Sequence, residues 1–278
     1  MLERHPYASD AYSRGLEGDG RTRLEVPPWR SNVLVRCAAS DPSVRTASGL
    51  YPYASLEPDC DLVAGLDFLR EQGVGSVSLV TDALWQPPLE ALRAAFDLCR
   101  PFKTTYLIDR AAGPVRFRKK HRNRINRSNR RCRVRRVALA DHIESAYEMY
   151  RGFAEIKELS GSMDFGPAYF PNLAKMKELT TIAAFVGEAL VTLSIWIRFR
   201  DIAYFHLGMS NQEGYGIAAS YACHGFAIEH FADCRYLSFG PEVGLRDSKE
   251  YPLSGFKSGF SNATAPVYLC GASLLSRA

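Results

Sequence analysis

The apolar positions of this 278-residue chain change period several times, and each change marks an element. Residues 33–37 (VLVRC) form a short apolar run of the kind a buried strand shows. Leu62, Leu66 and Leu69 then recur at helical spacing within 61–72, and Gly73 supplies the stop. Residues 76–81 (SVSLVT) predict a strand. Leu89, Leu92, Phe96 and Cys99 predict a helix after Pro87-Pro88, and 104–108 a third strand. The first third thus reads as a β-α-β-α-β layer. Ahead of it, residues 1–32 are polar with interspersed Gly and Pro, and are expected to be partly irregular.

Phe117, His121, Ile125, Ser128 and Cys132 step by three or four, a narrow apolar seam for a helix. From Arg131 the period shortens. Arg131, Arg133 and Arg135 alternate with Cys132 and Val134, which predicts a strand with one charged face. Asp141 is a candidate cap for a helix carrying Ile143, Tyr147, Tyr150 and Phe153 on one face, and a shorter helix is expected over 169–176. Segments 181–186, 190–199 and 202–209 read as strands. Gly187-Glu188 and Arg200-Asp201 join them as tight turns, so they predict an antiparallel meander. A helix is expected over 217–231, then short strands at 236–239 and 267–270 flanking 253–259. This order describes an α+β layer with one crossover helix, a shape that suits an acyltransferase.

Composition adds one strong fact. The stretch 116–136 (RFRKKHRNRINRSNRRCRVRR) holds twelve of the 35 basic residues and no acid. Against a net charge of +5, it leaves −7 on the rest of the chain. Like charges at such density repel one another, so an anionic partner is expected, with a solvated helix face as the alternative. No apolar run approaches the roughly 20 residues of a membrane span, and the N-terminus lacks the apolar core of a secretory signal. Seven scattered cysteines without a C-x-x-C pair read as reduced thiols of a cytoplasmic protein. No zinc spacing, P-loop or Ser-His-Asp order is present, and no metal or cofactor is expected.

Five segments, in order, carry a resemblance. They are SGLYPYASL (48–56), RKKHRNRINRSNRRCRV (118–134), YFHLGMS (204–210), YLSFGPEV (236–243) and GFKSGFS (255–261). Together they resemble the Fem-like branch of the GNAT superfamily, the aminoacyl-tRNA-dependent transferases and their CelD-like relatives. The resemblance implies a GNAT-like mixed sheet flanked by helices, with two GNAT-like domains in tandem. The first, 1–139, is reduced and ends in the basic helix and strand; the second, 140–278, is the transferase domain. The coiled-coil arm that some members insert is absent, since no long heptad run exists.

The function implied is transfer of an amino acid from aminoacyl-tRNA, the co-substrate, to an acceptor amine. The acceptor is expected to be a peptidoglycan precursor or a small peptide or nucleoside antibiotic intermediate. Arg118, Lys119, Lys120, Arg122, Arg124, Arg127, Arg130 and Arg131 are the candidate tRNA contacts, because Lys and Arg neutralise backbone phosphates. Lys257 is the candidate catalytic ammonium, placed to stabilise the tetrahedral oxyanion, with Phe256 and Phe260 packed beside it. His206 is the candidate base, although a lone histidine also suits a core, and the substrate's own groups can relay the proton. Tyr51, Tyr53, Tyr204, Tyr215 and Glu242 are the candidate acceptor contacts, with Asp247 and Arg246 beside the last. Aromatic packing is the alternative for the tyrosines, and loop charge for the rest. The segment 211–220 (NQEGYGIAAS) lies where a GNAT enzyme holds acyl-CoA pyrophosphate, but Asn211 departs from the usual Arg or Gln. Two other readings stay open: an acyl-CoA-dependent N-acyltransferase, and a non-catalytic RNA-binding module.

Overall fold

A computed structural model describes residues 3–39, 41–156, 163–241 and 252–275. In chain order the elements begin with α1 (Asp10–Gly15), β1 (Thr22–Val26), β2 (Ser31–Cys37), β3 (Arg45–Gly49), α2 (Leu62–Glu71), β4 (Val74–Val80) and α3 (Leu89–Ala95). They continue with β5 (Leu98–Asp109), α4 (Lys119–Asn129), β6 (Arg133–Val137), α5 (Ile143–Ile156) and α6 (Tyr169–Leu173). The meander β7 (Leu179–Val186), β8 (Ala189–Phe199) and β9 (Ile202–Ser210) follows. The chain ends with α7 (Gln212–Gly216), α8 (Ala219–His230), β10 (Tyr236–Pro241), α9 (Pro252–Ser258) and β11 (Ala263–Ser273).

Two compact units emerge. Unit 1 comprises Met1–Lys103, Gly161–Lys175 and Pro266–Ala278; unit 2 comprises Thr104–Ser160 and Met176–Ala265. The units are therefore interleaved along the chain, unlike the successive division at 139/140 expected from sequence. The basic helix and strand fall in unit 2 with the meander. Burial explains this: the seam of α4 packs on α8, so the chain segment that looks like the tail of the first domain shares the core of the second.

Unit 1 is a mixed sheet in the order β1-β2-β3-β4-β11, with β3 and β4 parallel and the other neighbours antiparallel. The β-α-β-α pattern is present, with two further strands, β1 and β3, that the sequence reading omits. In α2, the Asp61 carboxylate accepts from the Ala64 N–H (2.9 Å), and Gly73 at φ +72° ends the turn as expected. Gly65 allows the Trp29 ring to lie on the helix; a Cβ there would come within 1.9 Å of Trp29 Nε1. Trp29 Nε1 in turn donates to Leu62 O (3.1 Å).

Residues 3–32 are more ordered than their polarity suggests. A 3-10 turn over Pro6–Ala8 leads into α1 and β1, and His5, Tyr7, Tyr12 and Trp29 are buried. These rings meet partners far along the chain. Tyr7 lies 6.5 Å from Tyr53 and Tyr12 6.3 Å from Tyr169 between ring centroids. Such anchoring leaves no local period to read.

Unit 2 is also a mixed sheet, ordered β5-β10-β9-β8-β7-β6, with β9 and β10 parallel and the rest antiparallel. The predicted meander is present. β8 is buried along nearly its whole length, which is why it reads as a continuous apolar run. The helix expected over 217–231 is α8, and the short α7 precedes it, with Ala218 between them in the left-handed region at φ +57°. α8 packs on β7 and β8 and on α4. Covered on both sides, it has almost no polar face. Cys99, expected on the second helix, lies in β5, because α3 stops at Ala95.

Candidate active site

Helix α4 is one-sided. His121, Ile125 and Ser128 are buried, and Ser128 Oγ bonds Ile217 O (2.8 Å) and Ala218 O (2.9 Å). The Ile125 side chain sits where Gly225 of α8 leaves room, 3.2 Å from an added Cβ. All twelve basic side chains of 116–136 are exposed, and among the described residues none of them forms an ion pair with a carboxylate. The first turn carries Lys119 and Lys120 and no acid, although the helix dipole disfavours cations there by about 0.3–1 kcal/mol each. That placement works against helix stability and in favour of an anionic ligand.

Lys119, Lys120, Asn123, Arg124 and Arg127 line an open cavity of about 470 Å³. Within it, Arg124 donates to Tyr221 Oη (2.5 Å), and its guanidinium stacks 5.0 Å from that ring. The stack holds one cation still while its neighbours project freely from the helix. On β6, Arg133, Arg135 and Arg136 are exposed at the sheet edge, and Arg135 lies 4.4 Å over the Phe185 ring. The alternation read from Arg131 to Arg135 is thus present, with Cys132 and Val134 half-buried beneath.

Against the buried side of α4 stands the 255–261 segment. Lys257, on α9, is only 6% exposed, and its ammonium donates to Pro241 O (2.7 Å) at the end of β10. A bulge between Ser238 and Pro241, with Gly240 at φ +77°, turns that carbonyl. Ser261 Oγ returns a bond to Lys257 O (2.8 Å). Phe260 is fully buried, and Phe256 contacts His121, Tyr221 and His224. Both phenylalanines pack in the core around the lysine's segment, as the sequence suggested.

Two histidines missed as site residues join this cluster. His224 Nδ1 donates to Ser220 O (2.9 Å), so the lone pair sits on Nε2, which has no partner among the described residues. Burial pushes this imidazole down to about 3, and the Lys257 charge adds to the effect. His121 Nε2 donates to Phe256 O (2.9 Å); burial lowers its basicity as well, so it is neutral. Sequence periodicity did place both on inward faces of helices, but gave no hint of what they face.

The remaining candidates separate from Lys257. Phe205 of β9 packs on His224, 4.6 Å between centroids. Tyr204, next to Phe205, points from the opposite face of the sheet, where α5 packs on β9, and a register shift against β8 interrupts the alternation at His206. Both are buried, and desolvation takes His206 down to about 3. His206, paired with Lys257 as a catalytic residue in the sequence reading, is a buried and weakly basic imidazole on β9. Tyr215 is 56% exposed on α7. Glu242, Arg246 and Asp247 lie outside the described residues.

In unit 1, Tyr53 is buried, while Tyr51 is half-buried and lines a cavity of about 180 Å³ with Ser48–Leu50, Pro52, Ser78–Val80 and Leu269. Burial raises the Tyr51 phenol to about 12, and its ring meets Phe165 edge-on at 5.3 Å. Tyr53 packs against Tyr7 in the buried aromatic cluster of unit 1. The same core holds a pair the sequence did not suggest: His5 Nδ1 accepts from Tyr7 N–H (3.2 Å), and Nε2 faces the Asp82 carboxylate at 3.9 Å.

At the 211–220 turn, Asn211 Oδ1 accepts from Gly214 N–H (2.9 Å), and an added Cβ on Gly214 would lie 2.2 Å from Val191 O. The turn thus uses its own side chain to satisfy one of the amides that a pyrophosphate would need. Among the described residues, no cluster of three His, Cys, Asp or Glu side chains is arranged to hold a metal, and no helix is long and apolar enough to cross a membrane.

Mixed strand pairing with flanking helices, and a three-strand meander and a crossover helix in unit 2, define a GNAT-like α+β fold. Solved structures agree with this assignment of fold. The chain is similar to the C-terminal domain of a protein named as a lysylphosphatidylglycerol synthetase from Agrobacterium fabrum, at TM-score 0.64 and 13% identity over 97% of this chain and 90% of that one. It is similar to L-PGS from Bacillus licheniformis at TM-score 0.63 and 11% identity, covering 93% and 85%. It is also similar to FemX at TM-score 0.58 and 10% identity, covering 86% and 83%. No family model matches the chain, and no curated protein matches it in sequence.

Proposed function

We propose that the protein is an aminoacyltransferase that moves an amino acid from aminoacyl-tRNA to an acceptor amine. One observation carries the reading: a helix with only basic charges on its open side packs its buried side directly on the segment that holds Lys257. Arg118, Lys119, Lys120, Arg122, Arg124, Arg127, Arg130 and Arg131 bind backbone phosphates, with Arg124 preset by Tyr221. The likeness in fold to FemX and to the lysylphosphatidylglycerol synthetases supports a transferase of this type. A charged-tRNA donor places the reaction in the cytoplasm.

The acceptor nitrogen attacks the ester carbonyl of the aminoacyl-tRNA, and the C–N bond forms. The oxyanion of the tetrahedral intermediate is stabilised by the Lys257 ammonium, held in orientation by Pro241 O. Collapse breaks the C–O bond to the ribose. The proton lost by the amine passes to that ribose oxygen through the substrate's own groups, so no protein base is required and His206 takes no part. A peptidoglycan precursor or a small peptide or nucleoside intermediate supplies the amine.

The test incubates the protein with a mixture of charged tRNAs and a candidate amine, with and without RNase, and reads products by mass spectrometry. An amide that forms only without RNase is expected. A product that survives RNase and requires acyl-CoA would overturn the proposal. So would tRNA binding with no product from any charged tRNA across a panel of amines.

A further inference from the structure

One side chain ties the basic helix directly to the residue before Lys257. His121 is the only histidine within 116–136, and it points away from solvent. Its Nε2 donates to the carbonyl of Phe256, the residue before Lys257, at 2.9 Å, across 135 residues of sequence. Its ring meets Phe260 edge-on at 4.8 Å and Tyr221 at 5.1 Å. It also fills the space over Gly259, where an added Cβ would fall 1.9 Å from the ring. Arg118 N–H approaches Gly259 O (3.4 Å), so the helix start grips the same segment from its N-cap.

A second route converges on the same residue. Arg124, which lines the anion cavity, is bonded to and stacked on Tyr221, and Tyr221 meets Phe256 edge-on at 4.8 Å. Phe256 is thus held by His121 and Tyr221, both tied to α4, and the next residue is the lysine. Packed interiors transmit displacement because they lack room to absorb it.

We infer that His121 is a positioning residue that couples anion occupancy of helix α4 to the placement of Lys257. This rests on the proposed role of Lys257 and deepens it, since it makes the bound polyanion a regulator of the ammonium's position as well as the substrate carrier. An amide donor at the Nε2 position preserves the link, and a methyl group does not. His121→Gln presents such a donor after the same number of bonds from Cα, whereas His121→Ala removes both the donor and the ring.

The experiment compares wild type, His121→Ala and His121→Gln in three measurements. These are affinity for unfractionated tRNA, kcat and KM with charged tRNA, and hydrogen exchange of peptides spanning 254–262 with and without tRNA. For His121→Ala, kcat is expected to fall at least tenfold, with tRNA affinity and KM within about threefold of wild type. In wild type, tRNA slows exchange in 254–262; in His121→Ala that slowing is lost, and His121→Gln recovers most of both effects. Unchanged kcat in His121→Ala, a matched loss of affinity and turnover, or exchange in 254–262 that ignores tRNA in wild type would each overturn the coupling. So would a folded His121→Gln that behaves as His121→Ala does. If wild type yields no product but tRNA still slows exchange through His121, the coupling stands and the transferase reading fails. If tRNA is not bound at all, both fall.

Discussion

Replacing Lys120, Arg122 and Arg127 together by glutamine removes three exposed cations from α4 and leaves its buried seam of His121, Ile125 and Ser128 intact. Arg124 is spared because it bonds Tyr221, and its loss would disturb the core. Each phosphate contact steepens the dependence of log affinity on log salt by roughly 0.9. Three lost contacts therefore flatten the slope by about 2.7. Between about 50 and 200 mM salt, the triple variant should lose roughly 40-fold less affinity than wild type, and at the lower salt it should start from a weaker value. Stability moves the other way or not at all. Lys120 sits in the first turn, where the helix dipole disfavours a cation, so its removal gains about 0.3–1 kcal/mol. Filter binding of radiolabelled tRNA across a salt series gives the slopes, and a thermal melt gives Tm. A slope equal to wild type would refute the phosphate role of these side chains. A loss of affinity that tracks a fall in Tm would show instead that the cations support the fold.

Lys257→Ala should lower kcat by two or more orders of magnitude while tRNA affinity stays near wild type; a variant with full turnover would remove Lys257 from the chemistry. It should also cost about 1.5–3 kcal/mol in chemical denaturation, since a charged donor is withdrawn from Pro241 O. His206 and His224 are both held near 3 by burial, well below the unfolded value near 6.5. The unfolded chain then binds more protons than the folded one between those values. Stability is therefore full above pH about 6.5 and falls by about 1.4 kcal/mol per pH unit for each histidine as pH drops toward 4. Denaturation midpoints that stay flat from pH 7 to 4.5 would contradict the buried neutral state. Gly65→Ala should destabilise by about 1–3 kcal/mol, because the new methyl meets the Trp29 ring inside unit 1. A neutral effect in urea unfolding would mean that the helix and the indole separate readily.

Much of the architecture could be read from periodicity. The meander, α2 with its Gly73 stop, the seam of α4 and the switch to β6 all appear where alternation or helical spacing placed them. What failed has a common cause. Residues 3–32 form ordered elements because Tyr7, Tyr12 and Trp29 bury against Tyr53, Tyr169 and α2, and a local window contains none of those partners. The short α7 ahead of the expected 217–231 helix ends before Ala218, whose left-handed backbone no composition rule flags in an alanine. Tyr204 and His206 lie two apart in sequence, but β9 shifts register against β8 at His206, and spacing alone does not reveal that interruption.

The sequence by itself determined that a dense cationic stretch would be a helix followed by a strand, with one apolar seam, and that a lysine lay between two phenylalanines near the C-terminus. Those facts are local, and local spacing fixes which side chains share a face. Only the tertiary structure decided what each face meets. It put the seam of α4 on Lys257's own segment through His121, left the twelve cations outside, and buried His206 in β9. Burial against a partner more than a hundred residues away depends on how strands pair and helices stack, and the periodicity of one segment holds no record of it.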